Sequence, residues 1–385
     1  YQGLVVAFDF HRRGGAALAP DYVMGISAST LTLAGLTIRR PNAAALDIGT
    51  GSGFQALVAA QHSERVVATD RNPRAVAMAS FNAALNGMPH MECREGDLFE
   101  PVEGEQFDLI VSNPPFIISP DHVYYFLHSG RTGDEVCRTI ARDAGRFLRP
   151  GGYCQFLANW TVEAGQDWRD HVEPWFEGTG CDAWVLRRGS TPPDEYAAVW
   201  IETEEGDAGF ARSFDAWMDY YRNLAVVAID SGLVTMRRST GAGAQWFRAD
   251  DSPDAMSYPA GPDLAQAFES QDFLAAHTDD RALLAARFRL APDVRLDQYL
   301  RPGLDAWDPE ANQLRRTTGL HWAGGIDGDG ADLLARCDGS RTMAELLEDL
   351  AGSLGTEAAD VTPIWPAIVR RLVERGFLVP TVASM

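Results

Sequence analysis

Positive charge is the scarcest property of this 385-residue sequence: Lys and Arg together number 33 against 54 Asp and Glu, for a formal charge of -21. A field of that sign repels phosphate backbones, so a broad nucleic-acid groove is disfavoured. Short basic clusters remain at Arg12-Arg13, Arg39-Arg40, Arg187-Arg188, Arg237-Arg238 and Arg315-Arg316. They are expected to be solvated surface unless the fold gathers them on one face. Cysteine is sparse as well. Cys93, Cys137, Cys154, Cys181 and Cys337 form no C-x-x-C pair and have no histidine at metal-ligand spacing, which argues against a disulfide framework or zinc site and for free thiols in a reducing cytoplasm. No apolar run approaches the length of a bilayer span, and the first residues lack the charged-then-apolar pattern of a signal peptide. A soluble cytoplasmic protein without a membrane partner is expected, its oligomeric state left open. The chain begins at Tyr1 rather than a methionine, so some native sequence ahead of it is expected to be missing.

From about residue 43, short apolar runs alternate with longer helical patterns, as in an open, mostly parallel sheet covered by helices. The predicted strands are Ala44-Ile48, Arg65-Thr69, Met91-Arg94, Phe107-Ser112, Gly152-Leu157, Ala183-Leu186 and Ala197-Ile201. Stretches rich in Ala, Leu and Val between them, Gln55-Ala60, Pro73-Asn86 and Glu135-Leu148, suit crossover helices. The fold class is therefore α/β, a Rossmann-like seven-stranded sheet over residues 41–203. The acidic Glu202-Asp207 reads as a boundary, after which residues 206–385 form a second domain, mostly helical. There Arg248-Asp263 is expected to loop over the surface. Helices at Ala331-Cys337, Met343-Leu350 and Pro363-Arg375, with a strand at Phe377-Val379, suggest a small winged-helix-like module. Asp327-Gly328-Asp329-Gly330 is similar to the start of a calcium loop, but Asp332 and Asp338 stand where its later glycine and terminal glutamate belong. A helix-capping turn is expected there, and no metal.

The run Leu46-Asp47-Ile48-Gly49-Thr50-Gly51-Ser52-Gly53 follows a strand and opens a helix, where main-chain amides meet a ligand. Asp70 ends the next strand, at the distance where such folds place a carboxylate on ribose hydroxyls. Asp97, in Gly96-Asp97-Leu98, follows the third strand. Singly each aspartate is a common turn or cap residue; at successive strand ends they form a pattern. That pattern resembles the class I S-adenosylmethionine-dependent methyltransferases across roughly residues 30 to 203. The resemblance implies S-adenosylmethionine as cofactor, with Asp47, Gly49, Thr50, Gly51 and Gly53 at its methionine and ribose portion. It also implies Asp70 with Arg71 at the ribose, Asp97 and Leu98 at the adenine, and residues 1–40 as a segment covering the cofactor.

The fourth strand runs into Asn113-Pro114-Pro115-Phe116. Two prolines at the carboxyl edge of a buried strand stop the ladder and stiffen the loop. The Asn113 side-chain oxygen and the Pro114 carbonyl can both accept from an NH₂ group, while Phe116 covers the planar group that bears it. Asn113 would thus stand at both the cofactor and the acceptor. The tetrapeptide is similar to the signature of amino-methyltransferases acting on glutamine amides of translation release factors, on N6 of adenine, and on N2 of guanine in ribosomal RNA. Where the release-factor enzymes carry Pro-Arg-x-Asp/Glu-Thr, this sequence has Asp21-Tyr22-Val23-Met24-Gly25-Ile26-Ser27. The acceptor stays open among a protein or peptide, favoured by the charge, an RNA base, and a small molecule of secondary metabolism. Trp160, after the fifth strand, is expected near the acceptor pocket, with the other tryptophans in the core. Arg336 to Thr342 resembles the Asp-Gly-x-x-Thr turn of small peptide-binding modules that accompany some peptide-modifying enzymes, which implies a C-terminal part that recruits a peptide; the alternative is a plain packing or dimerisation unit.

Overall fold

The computed structural model describes residues 1–10, 19–120, 132–201, 206–241, 245–304 and 306–381. The Arg12-Arg13 pair and most of the acidic stretch after Ile201 lie outside them. The chain divides into two compact units, residues 1–252 and 253–385.

The first unit runs α1 (Ala28–Leu36), β1 (Asn42–Ile48), α2 (Phe54–Ala60), β2 (Ser63–Asp70), α3 (Pro73–Leu85), β3 (Met91–Glu95), β4 (Phe107–Ser112), α4 (Glu135–Phe147), β5 (Leu148–Glu163), α5 (Trp168–Val172), β6 (Cys181–Thr191), α6 (Pro193–Trp200), α7 (Gly206–Asn223), β7 (Val226–Arg238) and β8 (Phe247–Asp251). These strands build one sheet in the order β3-β2-β1-β4-β5-β7-β6-β8. The first five are parallel, and β7 lies antiparallel between β5 and β6. Strand β1 is a continuous buried run because helices cover both its faces. Helix α3 starts on Asn72, whose side chain accepts from Arg74 N at 3.0 Å, with Pro73 in its first turn. Helix α4 buries Val136, Ile140, Ala144 and Phe147, one stripe at helical spacing, in the core beneath the sheet.

The sheet has eight strands rather than seven, and its seventh is not where the sequence pattern put it. Ala197-Ile201 belongs to α6 and its end: Pro193 in the first turn, with Asp194 and Glu195 beside the helix N-terminus, outweighs the apolar alternation. The last antiparallel hairpin is closed by β7 instead, thirty residues further on. The domain boundary expected near residue 203 is corrected accordingly. The first unit continues past residue 203 through α7, β7 and β8, and the division falls at Ser252. Part of the expected surface loop, Phe247–Asp251, is the edge strand β8, parallel to β6.

All 33 cations in the chain are arginines, and the arginine pairs are largely engaged by the chain itself. Arg187 holds Asp230 and Asp251, Arg237 holds Asp182, Arg315 holds Asp297, and Arg316 holds Asp263 and Asp293. The planar guanidinium fork suits such paired contacts.

The second unit comprises α8 (Gly261–Ala276), α9 (Asp280–Leu284), β9 (Arg287–Leu290), β10 (Val294–Pro302), β11 (Trp307–Arg316), β12 (Ala323–Ile326), α10 (Gly328–Ala335), β13 (Asp338–Thr342), α11 (Met343–Leu354), α12 (Ala358–Val361), α13 (Trp365–Glu374) and β14 (Leu378–Thr381). The three helices and terminal strand expected here are α10, α11, α13 and β14. The expected capping turn is present: Asp327 accepts from Gly330 N at 2.7 Å. Thr342 and Glu345 cap α11 reciprocally. Two three-stranded sheets, β10-β11-β12 and β13-β9-β14, accompany the helices, and strand content exceeds the mostly helical expectation. No described helix is long and apolar enough to cross a membrane.

Gln155, at the centre of β5 and fully buried, ties the end of α1 to the sheet. Its side chain accepts from Ile38 N at 2.7 Å and donates to Leu36 O at 3.0 Å and Thr235 Oγ1 at 3.3 Å. Gln155→Leu keeps the volume but strands these buried groups. At about 1–3 kcal/mol for each unsatisfied group, urea unfolding is expected to show a loss of about 2–4 kcal/mol; a loss under about 1 kcal/mol would contradict the role.

Candidate functional site

Strand order reverses between β1 and β4, and a crevice opens outside the carboxyl ends of the strands at that point. The two strand ends are in register, Ile48 opposite Ser112, and the buried Ser112 hydroxyl donates to Ile48 O at 2.8 Å. The glycine turn after β1 and the Asn-Pro-Pro-Phe segment after β4 therefore leave the sheet side by side.

Gly49 and Gly51 take φ of +67° and +55°, the left-handed region that favours glycine. Gly51 N donates to Asp70 Oδ2 at 2.9 Å and Asn72 N to Asp70 Oδ1 at 2.8 Å, which fixes that carboxylate at the end of β2 with lone pairs to spare. Burial raises the Asp70 pKa, opposed by these two amides. Asp47 sits below the turn, 1% exposed, accepting from Thr50 Oγ1 at 2.6 Å and Ala56 N at 3.0 Å. Burial outweighs both bonds and pushes its carboxyl up to about 7. Leu98 adopts φ +45°, a conformation leucine rarely takes, and turns the loop after β3 into the cleft beside Asp97.

On the β4 side of the cleft, Asn113 Nδ2 donates to Ser29 Oγ of α1 at 3.4 Å, while Asn113 Oδ1 is buried with no partner. The segment just beyond Phe116 is held at both main-chain groups of one residue. Tyr196 OH of α6 accepts from Ile118 N at 3.4 Å and from Asn159 Nδ2 at 2.7 Å, and Tyr221 OH of α7 donates to Ile118 O at 2.7 Å. Burial holds the Tyr196 phenol well above its usual range, so it stays protonated. Trp200, at the end of α6, lines the cleft.

Asp47, Gly49, Thr50, Gly51, Asp70, Arg71, Asp97, Leu98 and the four residues Asn113 to Phe116 all line this one cleft of about 260 Å³. Gly53 does not. It caps α2 at φ +83°, and a Cβ there would lie 3.0 Å from Ala79 Cβ, so its missing side chain serves the close approach of α2 to α3. Trp160 is corrected as well: it is fully buried, stacked on Trp168 with ring centroids 5.5 Å apart, and lies in the core instead of the cleft wall. Tyr22, Gly25 and Ser27 of the N-terminal segment reach the cleft. The pattern reading passed over Tyr196, Trp200 and Tyr221, although Pro193-Asp194-Glu195 was a legible helix start. Among the described residues no group of three or more His, Cys, Asp or Glu is placed to hold a metal.

Residues 27–174 match the family model described as methyltransferase small domain, and residues 265–380 match a domain of unknown function, DUF7782. The release factor glutamine methyltransferase of Xylella fastidiosa strain 9a5c is 35% identical over 184 residues, covering 41% of this chain and 65% of that protein. The enzyme of the same name from Geobacter sulfurreducens is 37% identical over 164 residues, covering 39% and 55%. The chain thus spans less than two thirds of the length of either relative. Among solved structures, a methyltransferase from Pyrococcus furiosus is 16% identical with a TM-score of 0.36, over 61% of this chain and 89% of that one.

An Asp47 carboxyl near 7 predicts a pH-dependent ligand site. A sulfonium ligand favours the ionised form, so affinity for S-adenosylmethionine is expected to rise about tenfold from pH 6 to pH 8, with proton release on binding. S-adenosylhomocysteine, lacking the sulfonium charge, should show a flatter profile. Calorimetry in two buffers of different ionisation enthalpy reads both, and identical profiles for the two ligands would count against it.

Proposed function

We propose that this chain is an S-adenosylmethionine-dependent methyltransferase that places a methyl group on a planar N–H nitrogen of a protein, the side-chain amide of glutamine being the favoured acceptor. The observation that carries the reading is Asn113 Oδ1, a buried acceptor without a partner, in the same cleft as the Gly49–Gly51 turn and the Asp70 carboxylate. A buried carbonyl oxygen left unmatched costs about 1–3 kcal/mol, and an incoming N–H group would satisfy it. The match to the methyltransferase small domain and the names of the relatives support the same chemistry.

The donor set fits the cofactor: Asp70 has lone pairs for ribose hydroxyls, and Asp97 stands at the next strand end for an adenine amino group. When bound, the cofactor supplies a methyl group on a positively charged sulfur. The chain's part is positional. Asn113 Oδ1 and the Pro114 carbonyl accept the two N–H bonds of the amide, which turns the nitrogen lone pair toward the methyl carbon, and Phe116 covers the flat face of the group. With the cofactor bound, the nitrogen would form its bond to the methyl carbon as the carbon–sulfur bond broke, and its extra proton would pass to water. An amide is a poor nucleophile, so fixing this orientation at near-attack distance is where the barrier falls, by several kcal/mol. The tyrosine clamp on Ile118 keeps the four residues in place.

The acidity of the chain and the engagement of its arginine pairs by its own aspartates argue for a protein acceptor over RNA. With tritiated S-adenosylmethionine, label is expected to enter a protein fraction of a lysate, resist ribonuclease and disappear with protease. Asn113→Ala should lower the single-turnover rate by about 10- to 100-fold, the worth of one buried hydrogen bond. Label lost to ribonuclease alone would replace the protein reading with an RNA one. Tyr196→Phe is expected to lower kcat about tenfold while leaving the cofactor Kd within about twofold, since it acts on the loop's position alone. Equal loss in both would make Tyr196 merely structural.

A further inference from the structure

Near the start of the chain, Val5 and Ala7 are strapped along α3 by two of its side chains. Asn82 and Asn86, four residues apart on that helix, each hold both main-chain groups of one strap residue. Ala7 N donates to Asn82 Oδ1 at 2.8 Å and Asn82 Nδ2 to Ala7 O at 2.8 Å. Val5 N donates to Asn86 Oδ1 at 2.9 Å and Asn86 Nδ2 to Val5 O at 2.7 Å. The spacing explains the match: four residues rise about 6 Å along a helix, and two span about 6.6 Å along an extended chain. Asn82 is fully buried and also donates to Ser52 O at 2.8 Å, so the root of the strap is fixed to the glycine turn after β1.

The tip of the strap is held differently, against a wall of the cleft. Asp9 N donates to Val23 O at 3.1 Å, Val23 N to Asp9 Oδ2 at 2.8 Å, and Tyr22 OH to Asp9 O at 3.1 Å. Tyr22, Val23, Met24 and Gly25 all line the cleft. Phe8 packs on the same stretch: a Cβ at Gly25 would lie 2.6 Å from its ring, so the glycine gives the ring room. Asn72 Nδ2 donates to Asp21 O at 3.0 Å while Asn72 N donates to the Asp70 carboxylate, which ties the wall to the end of β2. The Asp9 carboxylate is in turn paired with Arg74 of α3, through Nε at 3.0 Å and through Nη2. That guanidinium holds the Asp9 carboxyl below its usual range. The Arg74 and Asp9 side chains are 49% and 17% exposed, so salt reaches this pair but not the root at Asn82.

We propose that Asp9 and Arg74 form a clasp that holds Tyr22 to Gly25 closed over the bound cofactor, so that its opening sets the rate at which S-adenosylmethionine enters and S-adenosylhomocysteine leaves. The inference rests on the cofactor occupying this cleft and not on the identity of the acceptor. Asp9 is a positioning residue, acting through the main chain of Val23 and touching no reacting atom. A clasp that closes the free and the bound protein alike slows entry and exit by the same factor and leaves affinity unchanged. A residue that only shapes the cleft alters affinity instead, so kinetics separates the two roles.

The test is stopped-flow mixing of the intact chain with S-adenosylhomocysteine, read by tryptophan fluorescence, since Trp200 lines the cleft, with Kd from calorimetry. The observed rate plotted against ligand concentration gives association as its slope and dissociation as its intercept. Arg74→Gln is expected to raise both rates about threefold to fivefold, the worth of one partly exposed ion pair, with Kd within about twofold. Asp9→Ala also frees Val23 N and should raise both about tenfold or more, and adding Arg74→Gln to it should change nothing further. Added salt should speed exchange in the wild type and leave Arg74→Gln unmoved. Arg74→Gln should melt no more than about 4 °C below the wild type. Unchanged rates in both variants overturn the proposal, and so does dissociation that rises alone, which would make Asp9 a plain support of the cleft wall. A wild type that binds no S-adenosylhomocysteine removes the cofactor reading and the clasp with it, whereas binding with unaltered exchange in the variants removes the clasp alone.

Discussion

The hydrogen bond from the Ser112 hydroxyl to the Ile48 carbonyl joins the ends of β1 and β4 at the point where strand order reverses. Everything at the cleft is referred to that junction. The chain leaves β1 as a glycine turn that bonds Asp70, and leaves β4 as Asn113 and two prolines, which cannot continue the ladder. The two loops line one cleft only because this register holds their starting points abreast. A one-residue slip would exchange the faces of β4 and carry Ser112 and the core residues Leu109 and Ile110 out of place.

Charge is handled in the same way throughout. An excess of 21 negative charges would strain a compact fold, and the structure meets it by engaging arginines with neighbouring aspartates and by burying some carboxylates close to neutrality. Asp47 is the clearest case: burial raises its pKa to about 7, so the turn is built around it without a fixed cation.

The Asn-Pro-Pro-Phe side of the cleft depends on residues far away in the chain. Ile118 is held by Tyr196 and Tyr221 from two helices inserted between β6 and β7. Trp217, Tyr221 and Ile229 form with Ile117 and Ile118 an apolar cluster of their own, separate from the main core. A loop that needs to be stiff at its tip is thus packed from behind, where prolines alone would fix only its local dihedrals.

Much of this was legible in the residues. Six of the seven expected strands, three crossover helices and the terminal helices appear at the expected places, because their apolar periodicities are long and unambiguous. All but one of the expected site residues share the cleft, because strand ends in a parallel sheet converge by construction. The exceptions have two causes. Gly53 and Trp160 are set by packing against segments remote in sequence, which no local pattern encodes, whereas Ala197-Ile201 follows a local helix start at Pro193-Asp194-Glu195 that outweighs the apolar alternation. The domain boundary falls at Ser252 instead of near residue 203, since an acidic composition does not distinguish a link between domains from a connection within one. The sequence by itself determined the order of elements, the glycine turn and the Asn-Pro-Pro-Phe loop, through short-range stereochemistry and hydrophobic period. Only the tertiary structure decided which strand closes the sheet and what braces Asn113, because each depends on contacts between residues tens of positions apart.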